Sequence, residues 1–516
     1  MRTPVKLIWF CMLAVLLIDS CQTKKPVNYY VSSQTGDDTY SGTSPAHAFR
    51  TLEAVNRIVL KPGDSILLAG GEAFKGTLVI DSADCGTAEG MIVITSSGGA
   101  GAVIDAGDSA AIKIKDTRYI HVSGLTLKGS GRKDGNVTSG LIISRSANIK
   151  ADHIEVSGFQ KAGVHVKGCD RITLTNIRAF ENGACGILAS DEETTTDIYI
   201  ADCVAENNPG DPTNLTNHSG NGILLGHVRR GMVEYCMATN NGWDMPWTGN
   251  GPVGIWAYYS DSVIIQHCIS HHNKTNKVAA DGGGFDFDGG MTNSVMQYNL
   301  SYNNEGAGYG LFQYWGAPTW ANNIIRYNIS LNDGSKNSHA GIHVWSAEGN
   351  KDDMYNGYIY NNIVLNENGH GVRYETDIRD MYFYNNIFIA GGEQLSGSCG
   401  KSRYDYNVYW SVGNKGFSAG KFGDFMNWVQ ATGQEKHDGT VTGKFADPGI
   451  IMPSAEDLSL TDPRKLRDLK AFMLMDGSAC LSAGRYVENN GALDFWGNPL
   501  PAGETSPDIG AHQKSK

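Results

Sequence analysis

A short motif that occurs eight times between residues 172 and 392 constrains the fold more than any other feature of the chain. The repeat is roughly 23 to 36 residues long and alternates apolar and polar residues with period two, which is typical of strands. Strands this short cannot bury a face alone, so the copies are predicted to stack in parallel and to build a core together. Aligned on one another, they place one residue of each copy in a single column: Asn176, Cys203, Cys236, Cys268, Asn299, Asn328, Asn362 and Asn386.

The residues of this column predict a ladder inside the stack. Asparagine side chains can hydrogen bond to the same group one coil above and below, and small cysteines can fill the equivalent interior position. Cys203, Cys236 and Cys268 are therefore interpreted as core residues rather than redox or metal thiols. Beyond residue 21, the cysteines form no CxxC pair and no dense disulfide spacing.

A second element, Gly-apolar-x-apolar, recurs beside the first as "GVHV", "GILA", "GILL", "GIWA", "GFDF", "GYGL", "GIHV" and "GVRY". Together the two elements resemble the pectate-lyase-like superfamily of polysaccharide-active enzymes. The resemblance implies an all-β fold, a right-handed parallel β-helix solenoid with a short N-terminal capping helix at "TLEAVNRIV". It also implies an N-terminal cap and first coils over residues 22–110, a β-helix that carries the cleft over 111–415, and a C-terminal coil and cap over 416–516.

The first 21 residues are predicted to be a lipoprotein signal peptide with a lipobox. They carry basic residues, an apolar run and "LLIDSC", in which Cys21 would be lipidated and would anchor the chain to a membrane. Asp19 departs from the usual small residue, and a plain secretory signal with an incidental cysteine is the alternative. The prediction is an exported protein, similar to bacterial lipoproteins, anchored at the outer membrane on its cell-surface or periplasmic side. A net charge of −12 argues against nucleic acid as a partner, and a monomer is expected.

Three carboxylates in "DGGGFDFDGG", residues 281–290, raise the question of a catalytic or metal site. Because side chains alternate along a strand, Phe285 and Phe287 should point into the core and Asp286 and Asp288 should point out. The same alternation in neighbouring coils predicts one outward column of Leu224, Trp256, Asp286, Gly310, His343 and Arg373. The adjacent column would contain Gly226, Tyr258, Asp288, Phe312, Trp345 and Glu375. Gly310 would leave a gap opposite Asp286 for a sugar ring or a water.

Aromatic rings beside carboxylates, a histidine and an arginine are what glycan cleavage requires. Side chains at i and i+2 of a strand lie about 6.5 to 7 Å apart, close to the carboxyl separation of inverting glycosidases. The leading prediction is a glycoside hydrolase that needs no cofactor, with Asp286 and Asp288 as acid and base and Glu375 or Asp281 as substitutes. The predicted catalytic residues are Asp286, Asp288, His343, Arg373 and Glu375, and the predicted substrate-binding residues are Trp256, Tyr258, Phe312, Trp345, His271 and Lys274.

Other functions stay open at this point. The superfamily also contains calcium-dependent lyases, and the resemblance then implies calcium on Asp281, Asp286 and Asp288, with Arg373, Lys274 or Lys277 as base. A polyuronate epimerase would share the first proton abstraction. A non-catalytic glycan-binding β-helix would use the same aromatic strip, and Asp-Gly pairs also occur in ordinary turns. The adjacent Asp-Asp and Gly-His-Gly motifs of the superfamily's hydrolases are missing from the sequence.

Overall fold

Short parallel strands stack into a long β-helix with three faces, which confirms the predicted all-β solenoid. The computed structural model describes residues 25–190, 192–398, 401–501 and 505–514. The proposed signal peptide and Cys21 lie outside the described residues. Each coil passes from a first face to a second, makes its longest turn, and continues into a third face before the next coil begins. Single strands bend from the first face to the second in three coils, at Arg118–Gly129, Ala147–Ser157 and Asp170–Phe180.

The remaining strands of the first face pair in register from the N-terminal coil onward. They are Asn28–Val31, Ser65–Ala69, Ile92–Ser97, Thr195–Ala201, Val228–Glu234, Asp261–Gln266, Val295–Gln297, Trp320–Arg326, Met354–Tyr360, Arg379–Tyr384 and Lys401–Asp405. The second face contains Ala73–Lys75, Ala102–Gly107, Val204–Glu206, Met237–Thr239, Ile269–His271, Leu300–Tyr302, Ile329–Leu331, Ile363–Asn366, Ile387–Ala390, Val408–Ser411 and Lys444–Phe445.

The third face carries the Gly-apolar-x-apolar elements and is a parallel sheet of its own. Its strands are Leu78–Ile80, Ile112–Lys115, Leu141–Ser144, Ala162–Lys167, Cys185–Ala189, Asn221–Gly226, Val253–Tyr258, Gly283–Phe287, Tyr309–Gln313, Ala340–Ser346, His370–Tyr374 and Leu395–Gly397. An antiparallel hairpin of Lys436–His437 and Thr440–Val441 stands apart from the three faces.

Helices are short in the described part of the chain. The capping helix spans Leu52–Val55, shorter than the predicted "TLEAVNRIV", because the chain turns toward the first face where the Leu60 N–H donates to Asp84 (2.8 Å). A second helix, Phe425–Thr432, packs Trp428 against the last coils. Single 3-10 turns lie at Pro45–His47, Glu348–Asp353, Val412–Asn414, Asp457–Ser459 and Pro463–Asp468. Among the described helices, none has the length and apolar character needed to cross a membrane.

The predicted asparagine ladder runs inside the β-helix from Asn299 to Asn407. Each Nδ2 donates to the Oδ1 of the next coil at 2.9 to 3.1 Å, through Asn299, Asn328, Asn362, Asn386 and Asn407. Cys203, Cys236 and Cys268 are buried and free, and they continue the column as interior residues. The prediction that Asn176 belongs to this column is wrong. Asn176 is exposed and has φ 52°, and the pairing of Arg178 with Val204 aligns Ile177 with Cys203.

A second asparagine ladder lies at the turn that leads into the third face. Its Nδ2 groups donate from coil to coil through Asn182, Asn208, Asn241, Asn273 and Asn304. Each ladder ends on a buried acid, Asp333 for this one and Glu435 for the first. Burial raises the pKa of Asp333 to about 6 and that of Glu435 to about 8. In both ladders this acid accepts a hydrogen bond from the Nδ2 of the last asparagine.

Residues 447–501 and 505–514 run back along the outside of the second face after the helix Phe425–Thr432 closes the end of the solenoid. This C-terminal strap covers the outward apolar residues of the second face, among them Ile269, Leu300 and Ile329. Its far end is held by Arg464, which forms a bidentate ion pair with Asp202 (2.6 and 2.7 Å), 262 residues earlier in the chain. The predicted C-terminal coil and cap therefore contains a cap and a lateral cover.

Candidate active site

Strand pairing on the third face aligns the predicted outward column. Leu224 pairs with Trp256, Trp256 with Asp286, Asp286 with Gly310, Gly310 with His343 and His343 with Arg373. The alternation argument is correct here, since Phe285 and Phe287 lie in the core. In the adjacent column, Gly226 pairs with Tyr258 and Phe312 with Trp345. The side chains predicted to share one strip therefore do share it.

Seven of the twelve residues of these two columns line a cavity of about 620 Å³ at the third face. Its lining contains aromatic rings, carboxylates, histidines and amides: Asn217, His218, Asn250, Trp256, Tyr258, Ala280, Asp281, Asp288, Phe312, Tyr314, His339, His343, Trp345 and Glu375. The volume lies within the usual range of small-molecule sites. Among the described residues, those that line the cavity include no lysine and no arginine.

Two of the three clustered carboxylates line the cavity. Asp281 accepts a hydrogen bond from the Gly251 N–H (2.8 Å), and burial raises its pKa to about 6. Asp288 accepts from the Gly289 N–H (2.7 Å), and burial, together with the charge of Asp281, raises its pKa to about 7. Gly251 has to be glycine, since a Cβ there would lie 2.0 Å from the Ala280 carbonyl oxygen. Both groups thus titrate near neutral pH.

Asp286 lies beneath the cavity surface rather than in its lining. It is 3% exposed, its Oδ1 has no hydrogen-bond partner, and burial with the charges of Asp288 and Asp281 raises its pKa well above the usual range. The gap expected at Gly310 is occupied. A Cβ on Gly310 would lie 3.0 Å from the Asp286 Oδ1 and 2.6 Å from the Phe312 ring. Gly310 therefore makes room for these two side chains and not for a sugar.

A chain of polar side chains forms one end of the cavity. The Arg373 Nε lies 2.7 Å from the Glu375 Oε1, which lies 2.9 Å from the His343 Nε2. The bond from His343 and the charge of Arg373 lower the pKa of Glu375. Arg373 also donates to the Asn337 and Ser338 carbonyl oxygens. Its guanidinium is thus committed to protein groups.

His339 completes this chain and was not predicted from the sequence. Its Nδ1 lies 2.7 Å from the Nδ1 of His343, and its Nε2 is buried without a partner. Burial lowers the pKa of His339 to about 3. His339 directly precedes the strand Ala340–Ser346, where the period-two rule does not apply.

The opposite end of the cavity is built around Trp256. The Trp256 Nε1 donates to the Asn221 Oδ1 (3.0 Å), and the Trp256 ring makes an edge contact with His218 (5.0 Å between centroids). Burial lowers the pKa of His218 to about 4. Tyr258 lies beside Trp256 (5.6 Å) and contacts the Ser190 hydroxyl. These rings form an aromatic wall of the kind that stacks on sugar faces.

The structure does not bring His271 and Lys274 to the cavity. His271 belongs to the second-face strand Ile269–His271 and stacks on Tyr302 with 4.5 Å between ring centroids. Lys274 lies in the following turn, outside the cavity lining. Both were predicted to bind substrate because the turn was assumed to reach the floor. Phe312 and Trp345, in contrast, lie in the cavity as predicted and contact each other edge to face.

Among the described residues, no group of three or more His, Cys, Asp and Glu side chains has the arrangement needed to hold a metal ion. The Asp281 Oδ2 is already engaged by Gly251, and the Asp288 Oδ1 by Gly289. A calcium site on Asp281, Asp286 and Asp288 therefore does not fit the donor set in this arrangement.

Comparison with known proteins supports the fold. Residues 91–242 match the family described as "Right handed beta helix region", which confirms the predicted handedness. The chain is 23% identical, over an alignment of 614 positions, to a lacto-N-biosidase of Bifidobacterium longum subsp. longum; the alignment covers 95% of this chain and 36% of that protein. The chain thus spans about a third of the length of the curated relative that it matches.

Solved structures show the same architecture. The GH136 lacto-N-biosidase from Eubacterium ramulus, in its selenomethionine form, superimposes with a TM-score of 0.52 and 18% identity, over 75% of this chain and 68% of that one. The pectate lyase Pel9A has a TM-score of 0.49 and 16% identity, over 95% of this chain and 97% of that one. At 18% identity the likeness to the Eubacterium ramulus structure shows the fold alone, and the reaction has to be argued from the site.

Proposed function

We propose that this protein is a glycoside hydrolase that cleaves an oligosaccharide or polysaccharide in the third-face cavity. One observation carries the proposal: Asp281 and Asp288 line an aromatic-walled cavity and have pKa values of about 6 and 7. Glycoside hydrolysis needs one carboxyl that is protonated and one that is ionised at the same pH. The similarity to a lacto-N-biosidase supports the same class of reaction.

Asp288 is the proposed general acid and Asp281 the proposed carboxylate. Asp288 has the higher pKa of the two, so it keeps its proton when Asp281 has lost its own. Asp288 then protonates the leaving glycosidic oxygen, and Asp281 either activates a water or attacks the anomeric carbon. This assignment replaces Asp286 in the predicted pair with Asp281, its substitute, because Asp286 is buried below the cavity. Burial, together with the charges of Asp288 and Asp281, raises the pKa of Asp286 well above its usual range, so its uncharged form is favoured beside the other two.

Hydrolysis is favoured over lyase chemistry by the charge of the cavity. A lyase would need cations to hold a polyuronate and a basic side chain to take the α-proton. Neither lysine nor arginine lines the cavity within the described residues, and Arg373 is paired with Glu375. Neutral pyranose rings, stacked on Tyr258 and Trp345, suit this surface better than acidic ones.

The test is incubation of the chain from Gln22 onward with a panel of plant, algal and host glycans. Reducing ends and the ultraviolet absorbance of unsaturated products are followed together, with wild type, Asp288→Asn and Asp438→Asn. Asp438 is exposed and far from the cavity, so its variant is the matched control. Reducing ends without absorbance, lost only in Asp288→Asn, are expected. Unsaturated products would refute hydrolysis, and retained glycan binding without any turnover would favour a binding protein.

We also propose that the mature chain is lipidated at Cys21 and anchored at the bacterial outer membrane. The apolar run before "LLIDSC" and the short "QTKKPVN" tether after it support this location. Radiolabelled palmitate should enter the wild-type protein and be absent from Cys21→Ala in a bacterial host. Equal labelling of both would contradict the proposed anchor.

A further inference from the structure

Two cavity histidines flank the carboxylates along the solenoid axis. His218 precedes the strand Asn221–Gly226, Asp281 precedes Gly283–Phe287, and His339 precedes Ala340–Ser346. On the third face, two strand spacings separate the strand after Asp281 from the strand after each histidine. Two spacings are about 10 Å. The histidines therefore lie on opposite sides of the carboxylates, each about the length of one or two sugar rings away.

The protonation of His339 follows from the polar chain that ends at Arg373. Glu375 is held ionised by Arg373 and His343, so the His343 Nε2 must carry a proton and donate it. The His343 ring is neutral because burial lowers its pKa, which leaves a lone pair on its Nδ1. The His339 Nδ1, 2.7 Å away, must then be the protonated partner. His339 is neutral as well, so its Nε2 is an unprotonated acceptor. The residue is 6% exposed, and this nitrogen has no hydrogen-bond partner.

His218 is held in the opposite tautomer. The Asn221 Oδ1 accepts from the Trp256 Nε1–H (3.0 Å) and the Val253 N–H (3.2 Å), which are donors only. The Asn221 amide is thereby oriented, and its Nδ2 donates to the Ala184 carbonyl (3.2 Å) and to the His218 Nδ1 (3.0 Å). The neutral His218 ring therefore carries its proton on Nε2 and is a donor.

We propose that His339 and His218 determine the orientation in which the sugar chain binds. Their tautomers are fixed and opposite, so one histidine offers an acceptor and the other a donor. The His339 Nε2 accepts from a hydroxyl or amide N–H on one side of the cleavage point. The His218 Nε2–H donates to a hydroxyl, carbonyl or ring oxygen on the other side. Both are positioning residues for an uncharged glycan. The inference rests on the proposed hydrolase function and adds that sugar rings are recognised on both sides of the scissile bond. The buried lone pair of His339 is costly without a donor, so it rejects a sugar that lacks one.

Kinetics separate the proposed roles from a structural one. His339→Gln keeps an acceptor oxygen toward the cavity and an N–H toward His343, whereas His339→Leu keeps neither. We expect His339→Leu to lower kcat/KM by about tenfold to a hundredfold and His339→Gln to recover most of the loss. His218→Gln should recover activity relative to His218→Leu in the same way. His267→Leu is the matched control, since His267 is a buried histidine that stacks on Tyr298 away from the cavity.

Nitrogen-15 spectra of histidine-labelled protein test the tautomers without any knowledge of the natural substrate. At pH 6.5, His339 should show an unprotonated Nε2 and His218 an unprotonated Nδ1, each assigned by the loss of its signals in the Gln variant. Glu375→Leu, which removes the acceptor of the His343 Nε2–H, should release the tautomer of His339 and leave that of His218 unchanged. N-acetylglucosamine and galactose at high concentration serve as probes, and the Nε2 signal of His339 should shift on binding.

The outcomes are distinct from those of the proposed function. A protonated Nε2 on His339, or equal activities for its Leu and Gln variants, overturns the inference even if the protein is a hydrolase. If no glycan is cleaved but the probes shift the His339 signal, the recognition stands and the proposed reaction fails. Spectra that match the expected tautomers but do not respond to either probe, together with unaffected kinetics, also overturn the recognition role.

Discussion

The pH dependence of activity is the most direct consequence of the cavity's carboxylates. The active form has Asp281 ionised and Asp288 protonated, with pKa values of about 6 and 7. Activity rises as the pH passes the first value and falls as it passes the second. At pH 6.5 about 60% of the molecules hold this form, and at pH 5 or pH 8 only about 9% do. We therefore expect kcat/KM to fall about sevenfold on either side of a maximum near pH 6.5.

Substitution of each carboxyl should remove one limb of this profile. Asp288→Asn cannot supply the proton, so kcat should fall by about 10² to 10⁴ and the remaining activity should lose its alkaline limb. In Asp281→Asn the acidic limb should disappear. The alkaline limb should also move to lower pH, because the charge of Asp281 is one cause of the raised pKa of Asp288. Asp438→Asn, the exposed control, should keep the wild-type profile.

The assay is release of reducing ends from the best substrate at ten pH values between 4.5 and 8.5, at low substrate concentration so that the profile reports the free enzyme. Circular dichroism at each pH verifies that the fold is intact. A profile that is flat over this range, or whose only limb lies near pH 4, would refute the assignment of Asp281 and Asp288. An Asp286→Asn variant that loses one limb, with Asp281→Asn unaffected, would restore the pair expected from the sequence.

Three further predictions concern the first asparagine ladder, the Trp345 ring and the calcium alternative. Asn328→Leu should lower the free energy of unfolding in urea by about 3 kcal/mol, because the buried Asn299 N–H and the Met296 carbonyl lose their partner. The exposed Asn322→Gly, at φ 60°, should change it by less than about 0.5 kcal/mol; equal effects would contradict the ladder's role. Trp345→Ala should raise KM about tenfold with little change in kcat, since ring stacking binds substrate and transition state alike. Extensive dialysis against EDTA should leave the rate unchanged, and a loss that calcium restores would support the lyase alternative.

Period-two alternation was sufficient to predict the floor of the site. Within a strand the facing of each side chain follows from its position, so Trp256, Asp286 and His343 could be aligned in one column without a structure. The same rule predicted that Asp286 is outward, and it could not predict that Asp286 is covered. Asp286 is covered from the next coil, where the Phe312 ring lies over Gly310.

Residues in the turns could not be assigned by alternation. Asp281 has φ 59°, a left-handed turn conformation in which period two does not hold. His218 and His339 lie in equivalent turns, and what they share in sequence is a place within four residues before the glycine of a Gly-apolar-x-apolar element. A search for polar residues two to four positions before each of these glycines would have found His218, Asp281 and His339. His271 and Lys274 were misplaced because their turn belongs to the end of the second face.

The C-terminal strap has a consequence for how the chain is made. Ion pairing of Arg464 with Asp202 joins residues 262 positions apart, whereas the strands of each face pair only with strands of the adjacent coils. The outward apolar residues of the second face have no cover until the strap has left the ribosome. We therefore expect the nascent solenoid to wind coil by coil during synthesis, and to remain dependent on chaperones until the C-terminal strap has been made. Completion of the fold thus waits for the strap, although the coils form before it.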